Sequence, residues 1–82
     1  MIFTVTWTDR AKARLATLWS ESLDRQATTR AADRIDDLLR FNAHLRGESR
    51  FDDFRILLEP PLGVSFRVSE VDRLATVVFV WE

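Results

Sequence analysis

The last strand-like segment of the sequence, residues 74–81, has apolar side chains at nearly every position. A strand that is apolar on both faces is usually central in its sheet or covered by a partner, whereas a strand with one wet face alternates apolar and polar residues. Since successive side chains point to opposite faces, Val78 and Val80 are expected to point away from the core. The segment therefore predicts a sheet with this strand in its interior and a second apolar face.

Three further segments, 2–7, 54–58 and 64–68, show the period of two that is typical of strands. A loop over residues 60–62 would place three apolar pairs on one side of the hairpin that joins the last two of these segments. The same register would bring Arg55 and Arg67 together on the opposite side. The core-facing strand positions predicted in this way are Phe3, Val5, Trp7, Phe54, Ile56, Leu58, Val64, Phe66, Val68, Ala75, Val77, Phe79 and Trp81.

Two amphipathic segments separate the first strand from the second. Their apolar residues recur at the i, i+4, i+7, i+8 spacing of one helix face. Thr8 and Asp24 are suitable N-caps, and glycine commonly follows the last residue of a helix. The pattern predicts one helix over about residues 9–22 and a second from Asp24 to near Arg46, ended by Gly47.

The element order is therefore β-α-α-β-β-β, and we expect a single α+β domain over residues 1–82. Its two layers are a helical hairpin and an antiparallel four-stranded sheet with strand order 1-4-3-2. A hydrophobic fraction of 46% with 30% charged residues is ordinary for a globular chain. Since no apolar run approaches the ~18 residues of a membrane span, we expect no anchor, no signal peptide and a cytoplasmic location.

Composition excludes several classes of site. The chain has no cysteine and one histidine, so we expect no metal and no cofactor. The paired carboxylates at 36–37 and 52–53 point in different directions within each pair, which disfavours a shared metal. A net charge of −1 is unlike that of a dedicated nucleic-acid binder. Nearly all basic residues are arginines, which suits binding of carboxylates or phosphates, although a GC-rich genome would explain the same bias.

The order of these motifs resembles the RelE/ParE superfamily of type II toxin–antitoxin toxins, whose members are often labelled plasmid stabilisation proteins. The resemblance covers nearly the whole chain and is carried by Trp7 followed by Thr8-Asp9-Arg10-Ala11, by Leu18-Trp19, by 31–36, by 47–50, by 61–68, by Asp72-Arg73 and by Val80-Trp81. It implies a growth inhibitor that a small cognate antitoxin neutralises. RelE-like members act on ribosome-bound messenger RNA, and ParE-like members act on DNA gyrase.

The residues that the resemblance assigns to catalysis differ in this chain. RelE-like members use basic residues to stabilise phosphate charge and a histidine or tyrosine to transfer a proton. Gly63 stands where those members have an arginine, Trp81 and Glu82 stand where some have a His-Tyr pair, and the chain has no tyrosine. We therefore expect no catalytic residue and growth inhibition through a protein target such as gyrase. The alternatives are a ribosome-dependent endoribonuclease with relocated arginines and a repurposed, non-toxic interaction module.

The face of the sheet away from the helices is the expected binding surface for an antitoxin or target. Arg55 and Arg67 would lie there with Arg50 and Arg73 at the rim. A mixed apolar and arginine surface suits a peptide with carboxylates, while the alternative is a solvated face of ordinary ion pairs. His44 is expected to stabilise a helix end, the three tryptophans to lie in the core, and a homodimer is possible. The apolar residues predicted on this face are Leu57, Val78 and Val80.

Overall fold

The structure, a computed structural model, describes residues 1–51 and 53–82, so the predicted pair at 52–53 falls partly outside it. Within those residues one mixed sheet has the strand order β1-β5-β4-β3-β2. Both helices pack against one face of this sheet. The elements are β1 (Thr4–Trp7), α1 (Asp9–Glu21), α2 (Arg25–Arg40), a 3₁₀ helix (Ala43–Leu45), β2 (Glu48–Ser49), β3 (Phe54–Glu59), β4 (Leu62–Ser69) and β5 (Leu74–Trp81).

The α+β class and the order of the four predicted strands are confirmed, and β5 is interior. The prediction of an antiparallel sheet throughout was wrong, because β1 and β5 run parallel, and the short strand β2 was not expected.

The path of the chain through the helical hairpin accounts for the parallel direction of β1 and β5. α2 ends beside the first residues of the chain, where the Phe3 N–H donates to the Arg40 carbonyl at 2.7 Å. The chain then reverses twice in succession, at the β3–β4 and β4–β5 connections, and β5 lies alongside β1 in the same direction.

The helix starts are as predicted from their caps. The Thr8 hydroxyl accepts from the Ala11 N–H at 3.1 Å, and the Asp24 carboxylate accepts from the Ala27 N–H at 3.0 Å. α2 ends at Arg40 instead of near Arg46, since the chain leaves the helix to form an antiparallel bridge between Ile2 and Phe41. Asparagine tolerates left-handed backbone, and Asn42 adopts it with φ 59°.

The core lies between the helices and one face of β1, β5 and β4. Leu18 of α1 and Ile35 and Leu39 of α2 contribute its large helical side chains. Phe66 of β4 is completely buried at its centre. No helix among the described residues is both long and apolar enough to cross a membrane.

The β3–β4 hairpin has a shorter loop than predicted. Pro60 and Pro61 alone connect the strands, and Glu59 pairs with Leu62. The Arg34 side chain of α2 holds this turn, since its Nε lies 2.6 Å from Glu59 Oε1. Compared with the expected three-residue loop, this register turns every side chain of β3 to the opposite face.

A β-bulge in β5 changes the second half of that strand. Ser65 pairs with Phe79 and Phe66 pairs with Val77, so Val78 has no partner in β4. Two residues oppose one at such a bulge, and the alternation of faces shifts by one position beyond it. Val80 is consequently buried in the core instead of pointing outward.

Candidate partner-binding surfaces

The face of the sheet away from the helices, hereafter the outward face, carries mostly large apolar side chains together with Ser65, Arg67 and Thr76. The β3 register and the β5 bulge turn large side chains toward it that had been predicted in the core. Leu58 is 65% exposed and Phe79 is 44% exposed. The apolar residues of this face are Phe54, Ile56, Leu58, Val78, Phe79 and Trp81.

Gly63 and Trp81 lie on this face in the row next to the β3–β4 turn. They are paired residues of β4 and β5, and a Cβ atom placed on Gly63 would lie 2.5–2.7 Å from atoms of the Trp81 indole. The indole therefore packs on the bare backbone of the glycine, a close approach that glycine in a strand permits. Its ring centroid is 6.2 Å from that of Phe79. An indole thus covers the position where the resemblance places an arginine.

The two arginines predicted as neighbours lie on opposite faces. Arg67 is on the outward face, where its guanidinium lies 5.3 Å from the centroid of the Phe54 ring and 3.5 Å from Asp53. Arg55 pairs with Phe66 on the helix side of the sheet. Its guanidinium donates to the carbonyls of Arg46 and Gly47, so it anchors the chain before β2 and is not available on the outward face.

The other residues predicted for this surface divide in the same way. Val78 lies on the outward face at the bulge, but Leu57 and Val80 pack in or against the core, for the reasons of register given above. Arg50 pairs with Glu48 at 3.4 Å near the β2 edge. Arg73 is exposed in the β4–β5 turn with a left-handed φ of 52°.

The outward face offers few groups for proton transfer or phosphate binding. β3, β4 and β5 are fully described, and Arg67 is the single charged side chain that they direct outward. The Trp81 indole can donate one hydrogen bond but cannot accept a proton. Within the described part of the chain, no group of three His, Asp or Glu residues could hold a metal ion. The arrangement suits an apolar partner surface.

His44 does not lie at the end of α2 as predicted, because that helix is shorter. It belongs to the 3₁₀ helix, where its ring centroid is 5.5 Å from that of Phe3 and its Nε2 is 3.9 Å from Glu70. With Arg55 and Ser49 it lines a small polar pocket. These contacts connect the segment after α2 to the start of β1 and the β4–β5 turn.

A second surface is an apolar groove of about 540 Å³ between the helices. Two tryptophans predicted in the core lie here with their indole nitrogens bonded to α2. Trp7 Nε1 donates to Asp36 at 2.7 Å, and Trp19 Nε1 donates to Thr29 at 3.1 Å. Trp19 remains 44% exposed. The residues that line this groove, hereafter the interhelical groove, are Trp7, Lys12, Leu15, Ala16, Trp19, Thr28, Thr29, Ala32, Asp33 and Asp36.

A third surface follows the free edge of β1. A groove of about 560 Å³ runs along the strand and is bordered by Lys12, Asp36 and Arg40. β1 is an edge strand, because its one neighbour in the sheet is β5. Such an edge leaves peptide N–H and C=O groups without a strand partner.

The residues that sequence reasoning missed are Phe54, Ile56, Leu58, Phe79 and Trp81. The Pro60-Pro61 pair was the available signal for β3, since two prolines alone can form the whole loop. The sequence contains no comparable signal for the bulge, because the residues around Val78 are all apolar.

Comparisons with known proteins identify the class of fold. By sequence, no protein-family model and no curated protein matches the chain. By structure, the chain superposes on a chain of the RelBE2 toxin–antitoxin complex from Mycobacterium tuberculosis with a TM-score of 0.81 and 12% identity, covering 100% of this chain and 92% of that one.

Two further solved structures have the same fold. A chain of the chromosomal ParDE system from P. aeruginosa gives a TM-score of 0.69 at 21% identity, covering 96% of this chain and 94% of that one. A chain of the archaeal RelE–RelB complex from Pyrococcus horikoshii OT3 gives 0.71 at 15% identity, covering 98% and 93%. The chain therefore shares the RelE/ParE-like fold of these solved chains, as the resemblance implied.

Proposed function

We propose that this protein is the toxin-like component of a type II toxin–antitoxin module, a single cytoplasmic domain that binds a cognate antitoxin. The fold supports this proposal, since the three similar structures are complexes of toxins with antitoxins. We further propose that it inhibits growth through a protein target such as DNA gyrase.

The observation that carries the choice of a protein target is the packing of Trp81 on Gly63. A ribonuclease site needs charged donors aimed at a phosphate and a group that transfers a proton. The outward face instead presents aromatic and aliphatic side chains around one arginine that already contacts Asp53. Apolar residues with an occasional arginine are enriched at the centres of protein–protein interfaces.

Binding is tested by coexpression with the product of the reading frame next to this gene. The wild-type protein should copurify with that product in a stable complex. Leu58→Asp with Phe79→Asp places two charges on the outward face, and a partner that covers this face should bind at least about 100-fold more weakly. The matched control is Leu23→Asp with Val71→Asp, two exposed residues outside this face. Equal loss of binding by both double variants would contradict the outward face as the binding surface.

The target is tested by inducing the protein without the neighbouring product. Inhibition of gyrase predicts arrest with filamentation and loss of supercoiling by purified gyrase in the presence of the protein. Arrest with cleavage of messenger RNA on translating ribosomes would instead establish the ribonuclease alternative. Normal growth together with a stable complex would identify a repurposed interaction module.

A further inference from the structure

Strand β3 directs its two charged side chains toward the helices and its larger apolar set outward. Arg55 and Glu59 lie on the helix side, where they contact residues that precede β2 and residues of α2. Burial of apolar surface stabilises a fold, and a charged group leaves water favourably only when it finds partners. Apolar burial alone would therefore favour the opposite orientation of this strand. The residues directed outward are Phe54, Ile56 and Leu58, and the one apolar residue on the helix side is Leu57.

Two polar anchors hold the charged side chains on the helix side. At the end of β3, Arg34 Nε donates to Glu59 Oε1 at 2.6 Å, and the same guanidinium donates to the Pro60 carbonyl at 3.0 Å. At the start of β3, the Arg55 guanidinium donates to the carbonyls of residues 46–47. Hydrogen bonds from a charged donor are roughly twice as strong as those between neutral groups. The strand is therefore fixed at both ends by contacts of its charged residues.

A second register is available to the β3–β4 hairpin. Moving β3 by one residue along β4 would place Ile56 opposite Phe66 and would lengthen the loop from two residues to three, which are both common hairpin lengths. This movement turns over every side chain of β3, so that three apolar side chains replace one on the helix side. Its cost includes the pair of Glu59 with Leu62 at the turn. β2 adds little resistance, since it pairs with β3 through two residues.

From these observations we infer that β3 has two registers available, and that Arg34 and Arg55 select the one in which its apolar residues face outward. The two arginines are positioning residues, since they determine which side chains reach the outward face without lying on it. The inference concerns how this face is formed and is independent of the partner that the face binds. Release of both anchors should move the strand by one residue and should replace Leu58 on the outward face by Leu57.

Pairs of introduced cysteines report the register directly, because the chain has no cysteine of its own. Ser65 pairs with Ile56 in the present register, and a slip of one residue would place it opposite Leu57. A disulfide requires Cβ atoms that point toward each other. In the parent chain, oxidation should therefore close Ile56→Cys with Ser65→Cys and should leave Leu57→Cys with Ser65→Cys open.

The test variant removes both anchors, with Arg34→Ala and Arg55→Ala in each cysteine background. Because hydrogen bonds to charged groups contribute about 1.5–3 kcal/mol each, the ratio of the two disulfide yields should shift by about tenfold or more toward the 57–65 pair. Arg40→Ala is the matched control. It removes an arginine of α2 whose contact to Asp37 is long and exposed, at 3.8 Å, and it should leave the ratio unchanged.

Thiol labelling of single cysteines gives an independent readout. Leu58 is 65% exposed, so Leu58→Cys should react rapidly with a maleimide in the parent chain and about tenfold more slowly without the anchors. Leu57→Cys should show the opposite change. The inference is overturned if the 56–65 disulfide still predominates without the anchors. Unfolding of the anchor-free variant, seen by circular dichroism, would overturn it too, because β3 would then have no second register to adopt.

Discussion

At the scale of single residues, the absence of a side chain at Gly63 determines how the outward face is built. Any larger residue there would collide with the Trp81 indole, since even a Cβ atom would lie 2.5 Å from it. The glycine and the tryptophan thus depend on each other. The resemblance places catalytic groups at these two positions. In this chain the pair therefore forms an apolar surface where RelE-like members have charged or proton-transferring side chains.

A double-mutant cycle tests this dependence. Gly63→Ala should lower the free energy of unfolding by about 1–3 kcal/mol, because the added methyl group displaces the indole. In a Trp81→Ala background the same substitution should cost less than about 0.5 kcal/mol, since no ring remains to be displaced. Urea unfolding followed by circular dichroism measures both differences. Equal costs in the two backgrounds would show that the backbone at 63, and not the indole, requires glycine.

At the scale of elements, the starts of the two helices were predictable because their signals are local, whereas the end of α2 depends on its pairing with the first residues of the chain. The caps Thr8 and Asp24 and the helical spacing are read within a few residues. The faces of β3 were not, because both faces of this strand carry apolar residues. The observed register differs by one residue from the expected one and brings Arg55 to the helix side, where the carbonyls of Arg46 and Gly47 accept hydrogen bonds from its guanidinium.

The presence of apolar residues on the exposed face of the sheet was predictable, but the identity of those residues was not. The outward face was recognised as an apolar surface because the last strand had too many apolar residues for a single face. Its members changed because loop length and the bulge depend on packing against distant elements, such as the contact of Arg34 with Glu59. Sequence spacing alone contains no measure of such contacts.

The bulge in β5 can be removed without exchanging the two faces. Deleting one of the adjacent valines at 77–78 leaves one valine opposite Phe66, and Phe79 and Val80 retain their present faces. We expect this variant to fold with a loss of about 1–2 kcal/mol in the free energy of unfolding. Deleting Val80 instead removes a fully buried side chain and turns Trp81 inward, so it should unfold the protein. Thermal unfolding and amide NMR spectra compare the stability and the fold of the two deletion variants. If both deletions disrupted the fold to the same extent, the position assigned to the bulge would be contradicted.

At the scale of the whole molecule, the sheet has a second apolar face that the helices do not cover, so we expect the protein to associate through it. The helices cover one face of the sheet, and nothing in the described chain covers the other. Exposed apolar patches of several hundred Å² mark interaction surfaces in soluble proteins. Without its partner, the protein should therefore bind a second copy through the outward face.

Sedimentation equilibrium measures this self-association. The average mass of the wild-type protein should rise with concentration, and Leu58→Asp should weaken the association by about tenfold or more. Leu23→Asp introduces the same charge at another exposed leucine, outside the sheet, and should leave the association unchanged. A mass that stays at the monomer value over the accessible range would exclude the homodimer.

The separation of the three tryptophans has a practical consequence for distinguishing these surfaces. Trp19 lies at the exposed side of the interhelical groove, Trp7 borders both that groove and the β1 edge, and Trp81 lies on the outward face. The chain has no tyrosine, and phenylalanine absorbs at shorter wavelengths than indole, so fluorescence excited at the long-wavelength edge of the indole absorption comes from the three tryptophans alone. Three variants that each retain a single tryptophan would report on the three surfaces separately. A change in fluorescence in one variant but not in the other two would identify the surface that a partner protein covers.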